Sequence, residues 1–224
     1  MKLTKKQQTW KNLDTDKVYA LADAIEVLRE YASKKFDETL EIAIRLGIDV
    51  TKADQNIRGM LSLPNGTGKS VRVAVFTANS QDEAKNAGAD VVGAEELIDS
   101  VAAGNINFDR VIATPDMMPK MSKIARVLGP KGLMPNPKLG TVTNNVADAV
   151  ATAKAGQIEY RAEKKGIIHA GIGKMSFTTD KLVENAVALI DQLKKVKPAS
   201  SKGQYILGIS VATTQGPGLK VDAK

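Results

Sequence analysis

Along the first third of the chain the apolar positions change period, and the change separates two kinds of element. Val18, Leu21, Ile25, Leu28 and Ala32 recur at three- and four-residue steps, the spacing of one helical face, with Thr15 or Asp16 ahead of them suited to cap the helix. Leu40, Ile42, Ile44 and Leu46 then alternate with Glu41, Ala43 and Arg45, the two-residue period of a strand with one buried face. A second strand is predicted over 57–63, ended by Pro64.

After a turn at 65–70 the pattern becomes short apolar strands separated by helix-length stretches. Strands are predicted at 71–76, 89–92 and 110–113, and helices at 81–86, 95–102, 118–128 and 146–155, with Pro119 suited to the first turn of the third. Such alternation implies a parallel sheet covered by helices. From residue 157 extended segments return at 157–161 and 167–169. A helix at 181–196 carrying Leu182, Leu189, Ile190 and Leu193 follows, then extended pieces at 205–213 and 219–222 flanking a Gly-Pro turn.

The two ends of the chain resemble each other more than either resembles the middle. The economical reading is a mixed α/β and α+β protein of two domains. Residues 1–67 plus 160–224 form an outer α+β domain, and residues 68–159 form an inserted, doubly wound, Rossmann-like α/β domain. The chain crosses twice between them, which would make a hinge.

Composition narrows the chemistry. The chain has 224 residues with ordinary globular content, no run near the length of a membrane span, and an N-terminus without the apolar core of a secretory signal, so a cytoplasmic protein with no membrane partner is expected. With no cysteine and a single histidine, His169, disulfides, thiolate nucleophiles and cysteine-ligated metals are excluded, and a histidine pair for a metal is missing. The reading includes no cofactor, no metal and no catalytic residue.

The formal net charge of +7 favours a polyanionic partner. The stretch 117–147 first draws attention, since it has no Asp or Glu, five basic residues, and a glycine- and proline-shaped loop at 129–140. Residues 68–159 nevertheless hold 10 basic and 10 acidic side chains, against 11 and 10 in residues 1–67 and 11 and 5 in residues 160–224. The excess charge belongs to the outer domain, and electrostatics places a polyanion there.

Several motifs compete with plainer readings. Asn65-Gly66-Thr67-Gly68-Lys69-Ser70 resembles the end of a phosphate-binding loop, but Leu63 stands where the first glycine belongs and a strand follows instead of a helix. Lys34, Lys35, Phe36 and Thr39 lie at a helix-to-strand junction. An exposed ring there would stack on a base, worth about 1–3 kcal/mol, while lysines meet phosphate; the alternative is a buried ring and solvated lysines. Thr214, Gln215 and Gly216 sit in a turn between two extended segments, where little bulk separates backbone from a ribose; a plain hairpin turn is the alternative. His169 lies in an apolar run, as a partly buried histidine or as a hydrogen-bonding contact to RNA. Lys174 is a candidate phosphate contact or a surface lysine.

Segments 35–39, 54–59, 113–116, 128–138 and 213–218 together resemble the bacterial large-subunit ribosomal protein L-one family, the mobile-stalk proteins, over essentially the whole chain. The resemblance implies a protein of the large ribosomal subunit whose split outer domain binds large-subunit rRNA. It further implies assistance in release of deacylated exit-site tRNA and repression of translation from its own operon mRNA. RNA contacts implied at matching positions are Lys35, Phe36, Thr39, Thr214 and Gly216. Gln215 departs from the family, which usually has methionine there. A monomer is expected when the protein is free of the ribosome. The rival readings are a nucleotide-dependent α/β enzyme and a nonspecific nucleic-acid-binding protein.

Overall fold

The computed structural model describes residues 8–11, 13–201 and 203–222, with the backbone alone at Ala53. In chain order the elements are β1 (Val18–Tyr19), α1 (Leu21–Tyr31), β2 (Thr39–Leu46), β3 (Arg58–Ser62), β4 (Val73–Phe76), α2 (Gln81–Asn86), β5 (Val91–Gly93), α3 (Glu95–Ala102) and β6 (Arg110–Ala113). They continue with α4 (Met118–Met121), α5 (Ala125–Leu128), α6 (Val146–Lys154), β7 (Gln157–Arg161), β8 (Ile167–Lys174), α7 (Thr179–Lys195), β9 (Ile206–Thr213) and β10 (Gly218–Val221). Mixed α/β structure in several sheets is therefore observed. The chain separates into two compact units, one of residues 1–68 with 158–224 and one of residues 69–157.

In the first unit a five-stranded sheet has the order β1-β10-β9-β2-β8. β2 runs antiparallel to both neighbours, pairing Ile42 with Ala170 and Val211. Its alternate residues Leu40, Ile42, Ile44 and Leu46 are buried, and they share a core with Ala24, Ile25 and Leu28 of α1 and Leu182, Ala186, Leu189 and Leu193 of α7. Each buried Leu or Ile contributes about 1.5–3 kcal/mol, so a one-residue slip of β2, which would expose all four, is strongly disfavoured. One face of the sheet is thereby committed to the helices and the other carries Glu41, Arg45 and His169 into solvent.

The segment following β3 is tied down by one side chain. Asn185 of α7 is fully buried; its amide nitrogen donates to Gly66 O at 3.0 Å and Ile172 O at 2.7 Å, and its oxygen accepts from Asn65 N–H at 3.1 Å. Asn65 also donates to Glu184 Oε2 and to Lys181 O. Gly66 and Gly68 take positive φ, at 65° and 71°. The segment resembling a phosphate loop is thus a pinned turn, and the next element is strand β4.

The second unit contains a parallel sheet of order β5-β4-β6. All four residues of central β4 are buried. Val73 and Val75 pack against Ala84 of α2 and Val146, Val150 and Ala153 of α6, while Ala74 and Phe76 pack against Ile98, Val101, Met117 and Met121. Helical cover on both faces explains why this strand reads as a continuous apolar run. Asp90 closes the sheet end by accepting Val73 N–H at 2.8 Å, with Lys154 Nζ 3.2 Å away. The Val73 amide, and secondarily Lys154, hold the Asp90 carboxyl below its ordinary value of 3.8. A depressed pKa means that the stabilisation is complete above that ordinary value and drains as pH falls through the lower folded value. Acid is expected to speed hydrogen exchange at Val73 in that window beyond the intrinsic trend, and Asp90→Asn to abolish the extra pH dependence.

Four predicted elements differ in extent or form. The helix expected from a cap at Thr15 or Asp16 starts only at Leu21, with Ala20 at its N-cap and no side-chain cap bond. Val18 and Tyr19 instead pair in parallel with Lys220 and Val221, and Asp16 forms an ion pair with Lys220. The helix expected over 118–128 is broken by a 3-10 turn at Ser122–Ile124. There Ser122 Oγ donates to Pro119 O at 2.7 Å, an oxygen that the Ser122 backbone N–H also reaches. The strand expected at 167–169 runs on to Lys174, and the strand expected at 71–76 begins at Val73.

Candidate nucleic-acid interface

One rim of the five-stranded sheet collects three segments that are distant in sequence. The β2–β9 ladder ends with Leu40 opposite Thr213, and the β2–β8 ladder with Thr39 opposite Lys174. A register shift between Leu40 and Glu41 on the β8 side locally re-aims this end of β2. The segment before β2, the end of β8 and the turn between β9 and β10 therefore meet.

Polar side chains hold the three segments together. Thr214 Oγ1 accepts from Thr39 N–H at 3.0 Å, and the backbone Thr214 N–H donates to Thr39 O at 3.1 Å. Lys174 Nζ donates to Asp37 O and to Thr39 Oγ1, each at 3.1 Å. Asp37 accepts from the Ser176 N–H and hydroxyl at 3.1 and 2.7 Å. Buried Glu38 accepts from Ser33 N–H at 2.8 Å and from Gln215 N–H at 3.2 Å. Gly216 N–H donates to Thr213 O at 3.1 Å and closes the turn.

On this rigid base Lys34, Lys35, Thr214 and Gln215 are exposed, and Phe36 has 43% of its surface accessible. Burial of the ring at the end of α1, the alternative in the sequence, is overturned. A ring exposed at the surface next in sequence to two exposed lysines can stack on a base while the lysines meet phosphates. Eight candidate residues come together here: Lys34, Lys35, Phe36, Thr39, Lys174, Thr214, Gln215 and Gly216. Lys174 lies within the clasp, half-buried, with its ammonium donating to Asp37 O and Thr39 Oγ1, so it is more than a bare surface lysine.

His169 lies apart from the rim, opposite Ala43 on the outward face of the sheet. Its side chain is 55% exposed, 4.0 Å from the Glu163 carboxylate, because Ile168 and Ala170 take the inward positions. The partly buried histidine is not what the fold makes. Across the same face the register aligns Lys220, Ser210, Ala43 and His169 in one row, and Gly218, Ala212, Glu41 and Gly171 in the next. Ser210, Ala43, Ala212, Gly171 and Gly218 put little bulk between the charged side chains of this face. No local pattern singles out Glu38, Asp37 or Ser176 as parts of the site, nor Ser210, Ala212, Gly171 and Lys220 on the outward face, whereas His169 is already a candidate in the sequence. The period-two alternation in β2 and β9 marks only which residues face outward, and the Glu38 bonds have no local pattern.

The acid-free stretch of the second unit is less cationic in its surroundings than in its sequence. Lys120 pairs with Glu95 of α3, and Lys120 first, then Lys123, lower the Glu95 pKa. The loop itself is held by Asn136, whose side chain accepts from Lys138 N–H and whose own N–H donates to Thr141 Oγ1. Among the described residues no group of His, Asp and Glu is placed to hold a metal ion, and no helix is long and apolar enough to cross a membrane.

A model of the family described as Ribosomal protein L1p/L10e matches residues 28–217, which include every residue of the rim from Ser33 to Gly216. The match covers well over half of the chain. The protein therefore belongs to the Ribosomal protein L1p/L10e family, ribosomal structural proteins that bind rRNA.

Proposed function

We propose that the rim and the adjoining outward sheet face bind large-subunit rRNA at the mobile stalk of the large ribosomal subunit, in the cytoplasm, without catalysis. On this reading residues 1–67 plus 160–224 are the RNA-binding domain, and residues 68–159 are an inserted Rossmann-like domain that moves about the two crossings. The same surface represses translation of the protein's own operon mRNA by binding a similar RNA fold, and the stalk assists release of exit-site tRNA. Phe36 carries the proposal, an exposed ring directly after Lys34 and Lys35 on a loop fastened to the Thr214 turn. Charge supports it: residues 1–67 and 160–224 together hold 22 basic and 15 acidic side chains, which accounts for the whole +7.

Titration of the full-length protein against stalk rRNA at several salt concentrations tests the reading. Phe36→Ala is expected to weaken binding by about ten- to a hundred-fold, the value of one lost stack, with the salt slope unchanged. Substituting Lys34 and Lys35 by alanine should instead flatten the slope. Wild-type affinity in Phe36→Ala would place the RNA elsewhere, and equal wild-type affinity for duplex DNA would indicate a nonspecific coat.

A further inference from the structure

Glu38 is a carboxylate with only 1% of its surface exposed, seated under the rim. Its Oε1 accepts from Ser33 N–H at 2.8 Å, where the basic and aromatic segment begins, and its Oε2 from Gln215 N–H at 3.2 Å, within the β9–β10 turn. Its carbonyl oxygen accepts from Met175 N–H at 2.9 Å, beyond the end of β8. The Thr39–Thr214 bonds continue the β2–β9 ladder, but the Glu38 bonds lie past its end. They join Ser33, at the head of the Lys34–Phe36 segment, to Gln215.

A buried carboxylate is a costly way to fill space, since its desolvation outweighs what an apolar side chain of the same size would lose. What it supplies that no neutral side chain can is two anionic acceptors about one carbon apart, facing two amides from different segments. We infer that Glu38 is the positioning residue of the RNA rim, holding the Phe36 segment and the Gln215 turn at one spacing without touching RNA itself. The inference rests on the rRNA-binding reading. Rigidity before binding removes the ordering cost from the association step, so the benefit appears as affinity for a shaped RNA and not as charge attraction. Glutamine at 38 would present one acceptor and one NH2 to the two amides, leaving one segment unheld. Aspartate would keep the charge but fall a methylene short.

The test uses the full-length protein and its Glu38→Gln and Glu38→Asp variants. Without RNA, exchange of the Ser33 and Gln215 amides should accelerate in both variants while the β2 and β9 amides keep their protection. With stalk rRNA, the dissociation constant should rise by about ten- to a hundred-fold, the worth of a charge-assisted hydrogen bond. Affinity for a noncognate duplex RNA and both salt slopes should stay at wild type, because every lysine remains. Combined with Phe36→Ala, the loss should be less than the product of the single losses, as the two act through one contact. Unchanged rRNA affinity despite accelerated exchange overturns the inference, and so do equal losses for rRNA and duplex, which mark general destabilisation. If Glu38→Gln fails to fold, Glu38→Asp carries the same comparison. A wild-type protein that does not prefer stalk rRNA over duplex sinks the rRNA reading itself. A Phe36-sensitive preference that Glu38→Gln leaves intact removes only the role of Glu38.

Discussion

Gly216→Ala is expected to weaken stalk rRNA binding by about ten- to a hundred-fold, with about 1–3 kcal/mol lost from the stability of the fold. The requirement at this glycine is space, since it is not among the residues with positive φ. A Cβ built there would lie 2.1 Å from Thr213 Oγ1 and 3.3 Å from Thr213 Cβ. Thr213 is buried and β-branched, its hydroxyl has no hydrogen-bond partner, and it sits opposite Leu40 at the last rung of the ladder. It can yield only by rotating against the core or by moving the turn. Either response displaces Gln215 and Thr214, and with them the bonds to Glu38 and Thr39. Gly218→Ala is the control for melting alone, because nothing lies within 4 Å of the Cβ it would add, while its place on the proposed RNA face keeps it out of the affinity comparison. Equal affinity and melting for Gly216→Ala and wild type would show that the turn tolerates the extra carbon and that its backbone does not approach the RNA.

Asn185→Leu is expected to destabilise the discontinuous unit by about 3 kcal/mol, measured by denaturant unfolding of the full chain. Leucine matches asparagine in shape but strands Ile172 O in the interior and releases both Gly66 O and Asn65 N–H. The first loss is a buried acceptor without a partner, worth about 1–3 kcal/mol, and the other two are partly relieved by water at the half-exposed turn. A second readout isolates the turn: protease cleavage within residues 65–70 should increase more than unfolding alone explains. Stability within a few tenths of wild type would mean that the buried amide merely fills space.

How far these elements could be read locally depends on where their partners lie. β2 was legible because alternation alone assigns its faces, and the helices packed on it confirm which face is inside. The false start of α1 shows the limit. Val18 happens to fall three residues before Leu21, yet it is 58% exposed and pairs with Lys220, some two hundred residues away. No helical period can anticipate that bond. The segment 118–128 keeps its apolar period through Met121, Ile124 and Leu128, all buried, while the backbone passes through a 3-10 turn at Ser122–Ile124. Periodicity records which side is buried, and it is blind to a short change of helix type that keeps the same side buried.

The candidate site divides in the same way. Lys34, Lys35, Phe36, Thr214 and Gly216 could be named from residue chemistry and family resemblance, since basic groups beside a ring and glycine beside threonines have recognisable uses. Whether Phe36 faces water, and that Lys174 serves the clasp, depended on contacts between residues 37–39, 174–176 and 213–216.

Side-chain period, charge distribution and motif chemistry are properties of neighbouring residues, so the alternating strands, the cationic excess outside residues 68–159 and the family were written in the chain itself. The rim is a different kind of object. It exists because the antiparallel ladders of β2 with β8 and β9 bring three remote segments to one edge, where the amides left beyond the last rungs need acceptors. Glu38, Asp37 and Thr214 meet that need, and only folding discloses which acceptor serves which amide.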